Sequence, residues 1–240
     1  SSFSVLIKSI IPIYLLFNYK KTIIKLISCF LIASSFLSVL LLMSRAAIIS
    51  LSLVSISILV FSFFANKKKY YFANGLIIIS LLISISTYNL INEKNAYNII
   101  GERFSNVANP IADSSVNERL NFYTTSVKSI IKNPILGIGY GNWKIKSIDL
   151  SKDIIKSYRV PYFVHNDFLQ ITAEIGIIGG LAFIYFIFYP FFVSLKKSFY
   201  EKDFNLYFMI YLIMGVYIID SLLNFPIGRV ITVILLLFTI

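Results

Sequence analysis

The feature that most constrains this chain is a series of long apolar runs that contain almost no charge. Thr22 to Met43 and Ala46 to Ala65 each provide the roughly 20 residues needed to cross a hydrocarbon core of about 30 Å as a helix. Similar runs extend from about Tyr70 to Leu90, Ile175 to Leu195 and Tyr207 to Leu223. Because backbone groups in lipid must bond within their own segment, runs this continuous predict helices rather than barrel strands.

Two further runs, Ser1 to Phe17 and Val230 to Ile240, look like parts of spans, which brings the expected number to six or seven. The predicted fold class is therefore an all-α polytopic transmembrane bundle. A hydrophobic share of 58% exceeds the roughly 45 to 50% of soluble domains and excludes an ordinary soluble enzyme. Since the chain starts without methionine and stops inside an apolar run, we expect it to be a segment of a longer protein.

Clusters of lysine between the runs predict the orientation in the membrane, because cytoplasmic connections carry an excess of basic residues. The clusters are Lys20, Lys21 and Lys25; Lys67, Lys68 and Lys69; and Lys196, Lys197 and Lys202. This parity puts Arg45, residues 91–165 and the turn from Asn224 to Arg229 on the opposite face. The net charge of +11 comes largely from such flanking lysines, so we expect no nucleic-acid partner.

Three regions follow from this pattern: transmembrane helices over residues 1–90, a large extracytoplasmic loop over 91–165, and transmembrane helices over 166–240. A loop this long is too large for an idle connection. Inside it, Ser115 and Glu118 have the spacing of a capping box, which predicts the start of an amphipathic helix. Asn133 and Pro134 should end that helix, which we expect to lie against the membrane or the bundle.

Two arginines on the predicted outer face need an explanation. Arg119 falls in the first turn of the predicted helix, where the macrodipole disfavours a cation. Either Glu118 or Asp113 compensates, or a bound anion does, and the sequence leaves both open. Arg45 follows a very short outer turn, where it either extends toward the lipid head groups or contributes to a site.

His165 is the single histidine of the chain and precedes an apolar run. Asn166, Gln170 and Glu174 follow at four-residue spacing, which predicts a polar stripe on a helix that enters the membrane and needs partners or a water-filled cleft. An imidazole near arginines favours the neutral form and can accept a proton, while the adjacent helix start offers N–H groups to a phosphate. This combination suits group transfer from a phosphorylated donor. Arg159 could bind substrate or lipid head groups.

The glycine-rich segment GIGYG, Gly137 to Gly141, follows a helix rather than a strand, so we do not interpret it as a nucleotide-binding loop. It predicts a sharp turn at the membrane surface, with Asn142 and Trp143 at the interface. One histidine and the distant Cys29 make no metal-ligand spacing, so we expect neither a metal nor a cofactor. Asp220 and Asn224, one helical turn apart, could line the same cleft or bond between helices.

Three segments resemble the O-antigen ligase and O-antigen polymerase superfamily: SR at Ser44 and Arg45, NERLNFYTTSVKSIIKNPILGIGYGNW at 117–143, and HNDFLQITAEIGIIGG at 165–180. The resemblance extends over about Ser34 to Leu195, and the ten to twelve spans usual in that family imply further N-terminal helices. It implies a multi-span glycosyltransferase of the bacterial inner membrane whose active site faces the periplasm. Such enzymes move a glycan from an undecaprenyl-diphosphate carrier to an acceptor without a metal.

The resemblance implies that Arg45 and Arg119 hold the diphosphate and that His165 deprotonates the acceptor hydroxyl, with inversion at the anomeric carbon. Possible substrate-binding residues are Arg159, Asn166, Gln170 and Glu174. The acceptor is lipid A core for a ligase and a growing glycan for a polymerase, and the motifs leave this choice open. The third hypothesis is a lipid-linked saccharide transporter. It is disfavoured because the candidate groups gather at one surface of the membrane rather than at its midplane.

Overall fold

A computed structural model describes residues 2–42, 45–65, 68–91, 114–151, 162–200, 206–229 and 233. Within these ranges the chain forms helices and no strand, which confirms the all-α class. The α helices are α1 (Ser2–Asn18), α2 (Thr22–Leu42), α3 (Arg45–Ala65), α4 (Lys68–Ile91), α5 (Ser114–Lys132), α6 (Trp143–Ser151), α7 (Asp167–Tyr200) and α8 (Leu206–Leu223). A short 3-10 helix, Pro226–Gly228, follows α8.

Five of the described helices, α2, α3, α4, α7 and α8, are long and apolar enough to cross a membrane. They coincide with the five complete runs of the sequence. The first of the two partial runs corresponds to the apolar part of α1, Ile7–Asn18, which is shorter than a span. Of residues 230–240, only Val233 is described.

The chain divides into two compact units, and each is described by itself. The first comprises Ser1–Ala96, Tyr189–Asp220 and Val230–Ile240. Inside it α2 packs against α1 and α4. Ser84 on α4 donates a hydrogen bond to the Ala33 carbonyl of α2 at 2.8 Å, the kind of contact that joins helices in lipid.

Large apolar side chains point outward from the spanning helices. Phe30 is 72% exposed and Phe63 71% exposed, although each sits in an apolar run. In water such surfaces would be unfavourable, whereas in a bilayer they contact acyl chains at no cost. The exposure pattern therefore agrees with helices that face lipid.

The second unit comprises Tyr97–Phe188 and Ser221–Arg229. Its small core centres on Trp143, which is only 1% exposed, together with Val164 and Ala173. Tyr123 and Ile130 of α5 pack against this cluster. The prediction of Trp143 at the membrane interface is wrong, because the indole fills the centre of this unit.

Helix α5 begins at Ser114, one residue before the predicted cap, and ends at Lys132, immediately before Asn133 and Pro134. The predicted helix is thus confirmed. Its earlier start puts Arg119 in the second turn rather than the first, where the macrodipole acts on it more weakly. The side chain of Ser115, the first member of the proposed capping box, is not among the described side chains, so the capping box stays a prediction.

Helix α7 is broken at Gly176, where φ is 78° and ψ 176°. The glycine-rich loop supplies backbone bonds at this break: the Ile138 and Gly139 N–H groups donate to the carbonyls of Ala173 and Glu174 at 3.0 and 2.9 Å. These bonds satisfy acceptors that a helix end otherwise leaves unpaired. The predicted sharp turn is confirmed, because Gly137, Gly139 and Gly141 all have positive φ.

Candidate functional site

His165 adopts a left-handed backbone conformation, with φ 62°, between residues 162–164, which belong to no regular element, and the start of α7. A non-glycine residue there costs of order 1–3 kcal/mol and persists only where the surroundings enforce it. The Val164 N–H donates to Gln170 Oε1 at 3.1 Å, and the Tyr123 hydroxyl lies 3.1 Å from the His165 carbonyl, to which it donates. Each bond contributes about 1 kcal/mol, so together they can hold the strained turn.

Aromatic rings surround the imidazole of His165. The Phe122 ring is stacked with it at a centroid distance of 6.1 Å, and the Phe225 ring meets it edge-on at 5.0 Å. Phe163 stacks in turn on Phe225 at 4.1 Å. Nδ1 is buried and has no hydrogen-bond partner among the residues that the structure describes, which costs about 1–3 kcal/mol unless water or a bound molecule supplies the bond.

The surroundings of His165 lower its pKa. Burial is the largest cause, because it disfavours the charged imidazolium, and the positive charges of Arg119 and Arg229 add to it. The negative charge of Glu118 opposes these effects without reversing them. The imidazole is therefore neutral at physiological pH and available as a proton acceptor, in the direction that the sequence suggested.

Arg229 is a member of this group that sequence reasoning did not single out. Its guanidinium carbon lies 4.8 Å from the ring centroid of Phe225, the same ring that touches His165. Arg229 stands far from His165 in sequence and belongs to no motif. The signal that could have found it is the one applied to Arg45: a cation in a predicted outer turn, where basic residues are sparse.

Polar side chains fasten the segment Ser221–Arg229 to the start of α7. Asp167, which is fully buried, accepts hydrogen bonds at Oδ2 from the Ile227 N–H at 3.0 Å and the Ser221 hydroxyl at 3.4 Å. The Asn166 amide donates to the Leu222 carbonyl at 3.3 Å. The Tyr123 hydroxyl lies 3.3 Å from that carbonyl and can donate its one proton there instead of to His165.

The start of α7 is already capped by its own residues. Asn166 Oδ1 accepts a hydrogen bond from the Leu169 N–H at 3.1 Å, as an N-cap residue does. Asp167 adds an acidic group in the first turn. A phosphate would meet this carboxylate, so the helix start is a poorer anion site than the sequence suggested, and the arginines must supply most of the attraction.

The remaining members of the polar stripe also bond to the backbone. Gln170 accepts the hydrogen bond from the Val164 N–H, while the side chain of Glu174 is only 3% exposed. Its two carboxylate oxygens accept from the N–H groups of Gly141 at 2.9 Å and Trp143 at 3.3 Å, which caps the start of α6. The substrate contacts predicted for Gln170 and Glu174 stay predictions, and the bonds observed for both are structural.

The other sequence candidates are not brought to this group by the described structure. Arg45 is the first residue of α3 in the first unit, and its side chain is outside the description, as is the whole of Arg159. Asp220 is buried near the end of α8 in the first unit. No cluster of three potential metal-ligating His, Cys, Asp or Glu side chains occurs within the described ranges.

A family model described as O-antigen ligase matches residues 29–184, more than half of the chain. The chain belongs to the O-antigen ligase family. Members of this family are membrane glycosyltransferase-like enzymes that act as ligases or polymerases, in general on lipid-linked glycans and polysaccharides. Comparisons with curated proteins and with solved structures gave no match.

The region matched to the O-antigen ligase family includes Arg45, Arg119 and His165. It also includes the glycine-rich loop and the break of α7 at Gly176. It ends before the segment Ser221–Arg229, so Phe225 and Arg229 come to the imidazole from outside the matched region.

Proposed function

We propose that this protein transfers a glycan from an undecaprenyl-diphosphate carrier to an acceptor hydroxyl at the periplasmic face of the bacterial inner membrane. Family membership supports a lipid-linked glycan as the donor. The observation that carries the proposal is the neutral imidazole of His165 beside cationic side chains, since this pairs a proton acceptor with groups that attract a diphosphate.

In the proposed reaction His165 takes the proton of the acceptor hydroxyl as its oxygen attacks the anomeric carbon. The bond from that carbon to the diphosphate oxygen breaks, and the diphosphate leaves with the bonding electrons. Attack from the face opposite the leaving group inverts the anomeric configuration. General-base assistance of this kind contributes roughly 100- to 10,000-fold to the rate.

Arg119, together with Arg45, is proposed to bind the diphosphate. Guanidinium groups suit this task because they make paired, charge-assisted hydrogen bonds to phosphate oxygens. Their stabilisation grows as negative charge develops on the leaving group, which accelerates the reaction rather than only tightening binding. Positive charge near His165 also keeps the base neutral, so one set of residues serves both steps.

Because the matched family model is described as O-antigen ligase, we propose lipid A core as the acceptor, which makes the protein a ligase. The test is transfer in proteoliposomes that contain the full chain, lipid-linked oligosaccharide and either lipid A core or a second lipid-linked glycan. Attachment of one glycan to lipid A core is expected. Growth of a ladder on the second glycan would identify a polymerase instead. Donor movement across the bilayer without a new glycosidic bond would contradict the enzyme assignment.

Arg119→Ala tests the diphosphate contact in the same assay. We expect transfer to fall by about 100- to 1,000-fold, the usual effect of removing one donor to a developing anion. Lys128→Ala is the matched control, because Lys128 is an exposed cation on the same helix α5. Equal activity in the two variants would remove Arg119 from the proposal.

A further inference from the structure

We infer that Arg229 is a further diphosphate-binding residue of this site, positioned by the anchored segment Ser221–Arg229. The inference rests on the proposed function, which it deepens by adding a donor contact from outside the region matched to the family.

A chain of ring contacts links Arg229 to His165. The guanidinium lies over the Phe225 ring at 4.8 Å, a cation–π contact, and the same ring meets the imidazole edge-on at 5.0 Å. Phe163 stacks on Phe225 in nearly parallel planes, 2° apart, which restricts rotation of the shared ring. The guanidinium is therefore held close enough for its charge to act on the imidazole.

The backbone beneath Arg229 is fixed at several points. Asp167 accepts from the N–H of Ile227 and from the hydroxyl of Ser221, and the Asn166 amide donates to Leu222. The Arg229 N–H itself donates to the Pro226 carbonyl at 3.0 Å, which closes the 3-10 turn. Because Asn166 and Asp167 directly follow His165, the base and Arg229 are positioned from the same point of the chain.

The diphosphate leaving group needs more than one cation. It carries several negative charges and offers oxygens on both phosphorus atoms, whereas one guanidinium makes one paired contact. Arg119 approaches His165 from α5 and Arg229 from the segment after α8, so their charges reach the base from different elements. Two cations and one carboxylate, Glu118, act on the imidazole, which leaves the balance positive.

The test measures the donor and acceptor KM and kcat of Arg229→Gln and Arg229→Lys in the full chain. We expect Arg229→Gln to raise the donor KM by about tenfold or more, with the acceptor KM unchanged, because a contact to the diphosphate is lost. Arg229→Lys keeps the charge without the paired geometry and should recover part of this loss. Lys144→Gln on α6 is the control, an exposed cation of the same unit.

The pH dependence gives a second readout that a purely structural role would not move. Arg229 lowers the pKa of His165, so its removal should raise that pKa and shift the acid limb of kcat/KM to higher pH. The other charged or titratable groups that act on the imidazole or contact its backbone are Glu118, Arg119 and Tyr123 of α5, while Asp167 of α7 accepts its hydrogen bonds from Ser221 and Ile227. These are unchanged in the variant, which makes the shift attributable to Arg229.

Direct binding of undecaprenyl diphosphate, followed by native mass spectrometry, separates this inference from the proposed function. Weaker binding to Arg229→Gln than to wild type and Lys144→Gln supports the inference, even if no acceptor is glycosylated. Unchanged binding and donor KM would overturn it while leaving a transferring wild type, and thus the proposed function, intact. An equal loss in Lys144→Gln would also overturn it, since bulk charge would then be the cause.

Discussion

At the scale of single residues, the site combines a strained backbone with a neutral ring. Its sole histidine and the arginine of α5 could be selected from the sequence, His165 because it precedes an apolar run and Arg119 because a cation near a helix start needs a compensating charge. The left-handed turn of His165 could not, since it depends on Tyr123 and Gln170, which approach from different elements. Arg229 was missed because its neighbourhood is defined by tertiary contacts alone.

The lowered pKa of His165 makes a prediction about pH. The base acts only when neutral, so transfer should persist at pH 6.5 and fall as the pH drops through the lowered pKa of the folded protein. Glu118 raises that pKa, so Glu118→Gln should move the acid limb of kcat/KM to still lower pH. Asp149→Asn on α6 is the carboxylate control. A shift of the limb to higher pH in Glu118→Gln would contradict the electrostatic account.

At the scale of elements, the break in α7 organises the second unit. The helices were predictable because each follows from a local pattern: an apolar run, or an amphipathic stretch ended by Asn133 and Pro134. The packing of these helices against one another was not predictable, because the hydrogen bonds from Ile138 and Gly139 to α7 join distant parts of the chain. The burial of Trp143 has the same cause, since its backbone N–H donates to Glu174 Oε1 on α7.

Glycine substitutions test this interlock. A Cβ at Gly176 would overlap the Ile135 carbonyl, in addition to straining a positive φ, whereas one at Gly141 meets nothing within 4 Å. Gly141→Ala should therefore cost only the strain of its conformation, about 1 kcal/mol or somewhat more. Gly176→Ala should lower the thermal unfolding midpoint in detergent by clearly more. Equal midpoints for the two variants would show that the backbones do not approach as described.

The carboxylate of Glu174 provides a second test at this scale. Glu174→Gln keeps the shape but turns one acceptor into a donor that faces an N–H group of Gly141 or Trp143. We expect a loss of about 1–3 kcal/mol in the free energy of unfolding. Denaturant titration in micelles measures it, with Asp149→Asn as the control. A variant as stable as wild type would argue that Glu174 is available for substrate instead.

At the scale of the whole molecule, the apolar runs predicted the all-α class and the five complete spans. The orientation remains a prediction drawn from lysine clusters. The compact units combine parts of the chain that are distant in sequence: the second unit includes α7 as far as Phe188 together with Ser221–Arg229. This segment is held in the second unit by hydrogen bonds to Asp167, whose buried carboxylate no local sequence pattern predicts.

The orientation can be tested by labelling single cysteines in a Cys29→Ser background. Lys20 and Lys144 are both exposed, and the three spans α2, α3 and α4 lie between them. Lys144→Cys should react with a membrane-impermeant maleimide in intact spheroplasts, whereas Lys20→Cys should react only after permeabilisation. Labelling of both from the same side would contradict the predicted topology and the periplasmic site.

The central claim, that His165 is the base of a glycan transfer, is tested most directly by His165→Gly with and without added imidazole. Glycine accepts the positive φ of this position, so the variant removes the ring and keeps the turn. We predict a loss of roughly 100-fold or more in transfer to the acceptor, and partial recovery when imidazole is supplied. Transfer by His165→Gly at the wild-type rate would contradict the account.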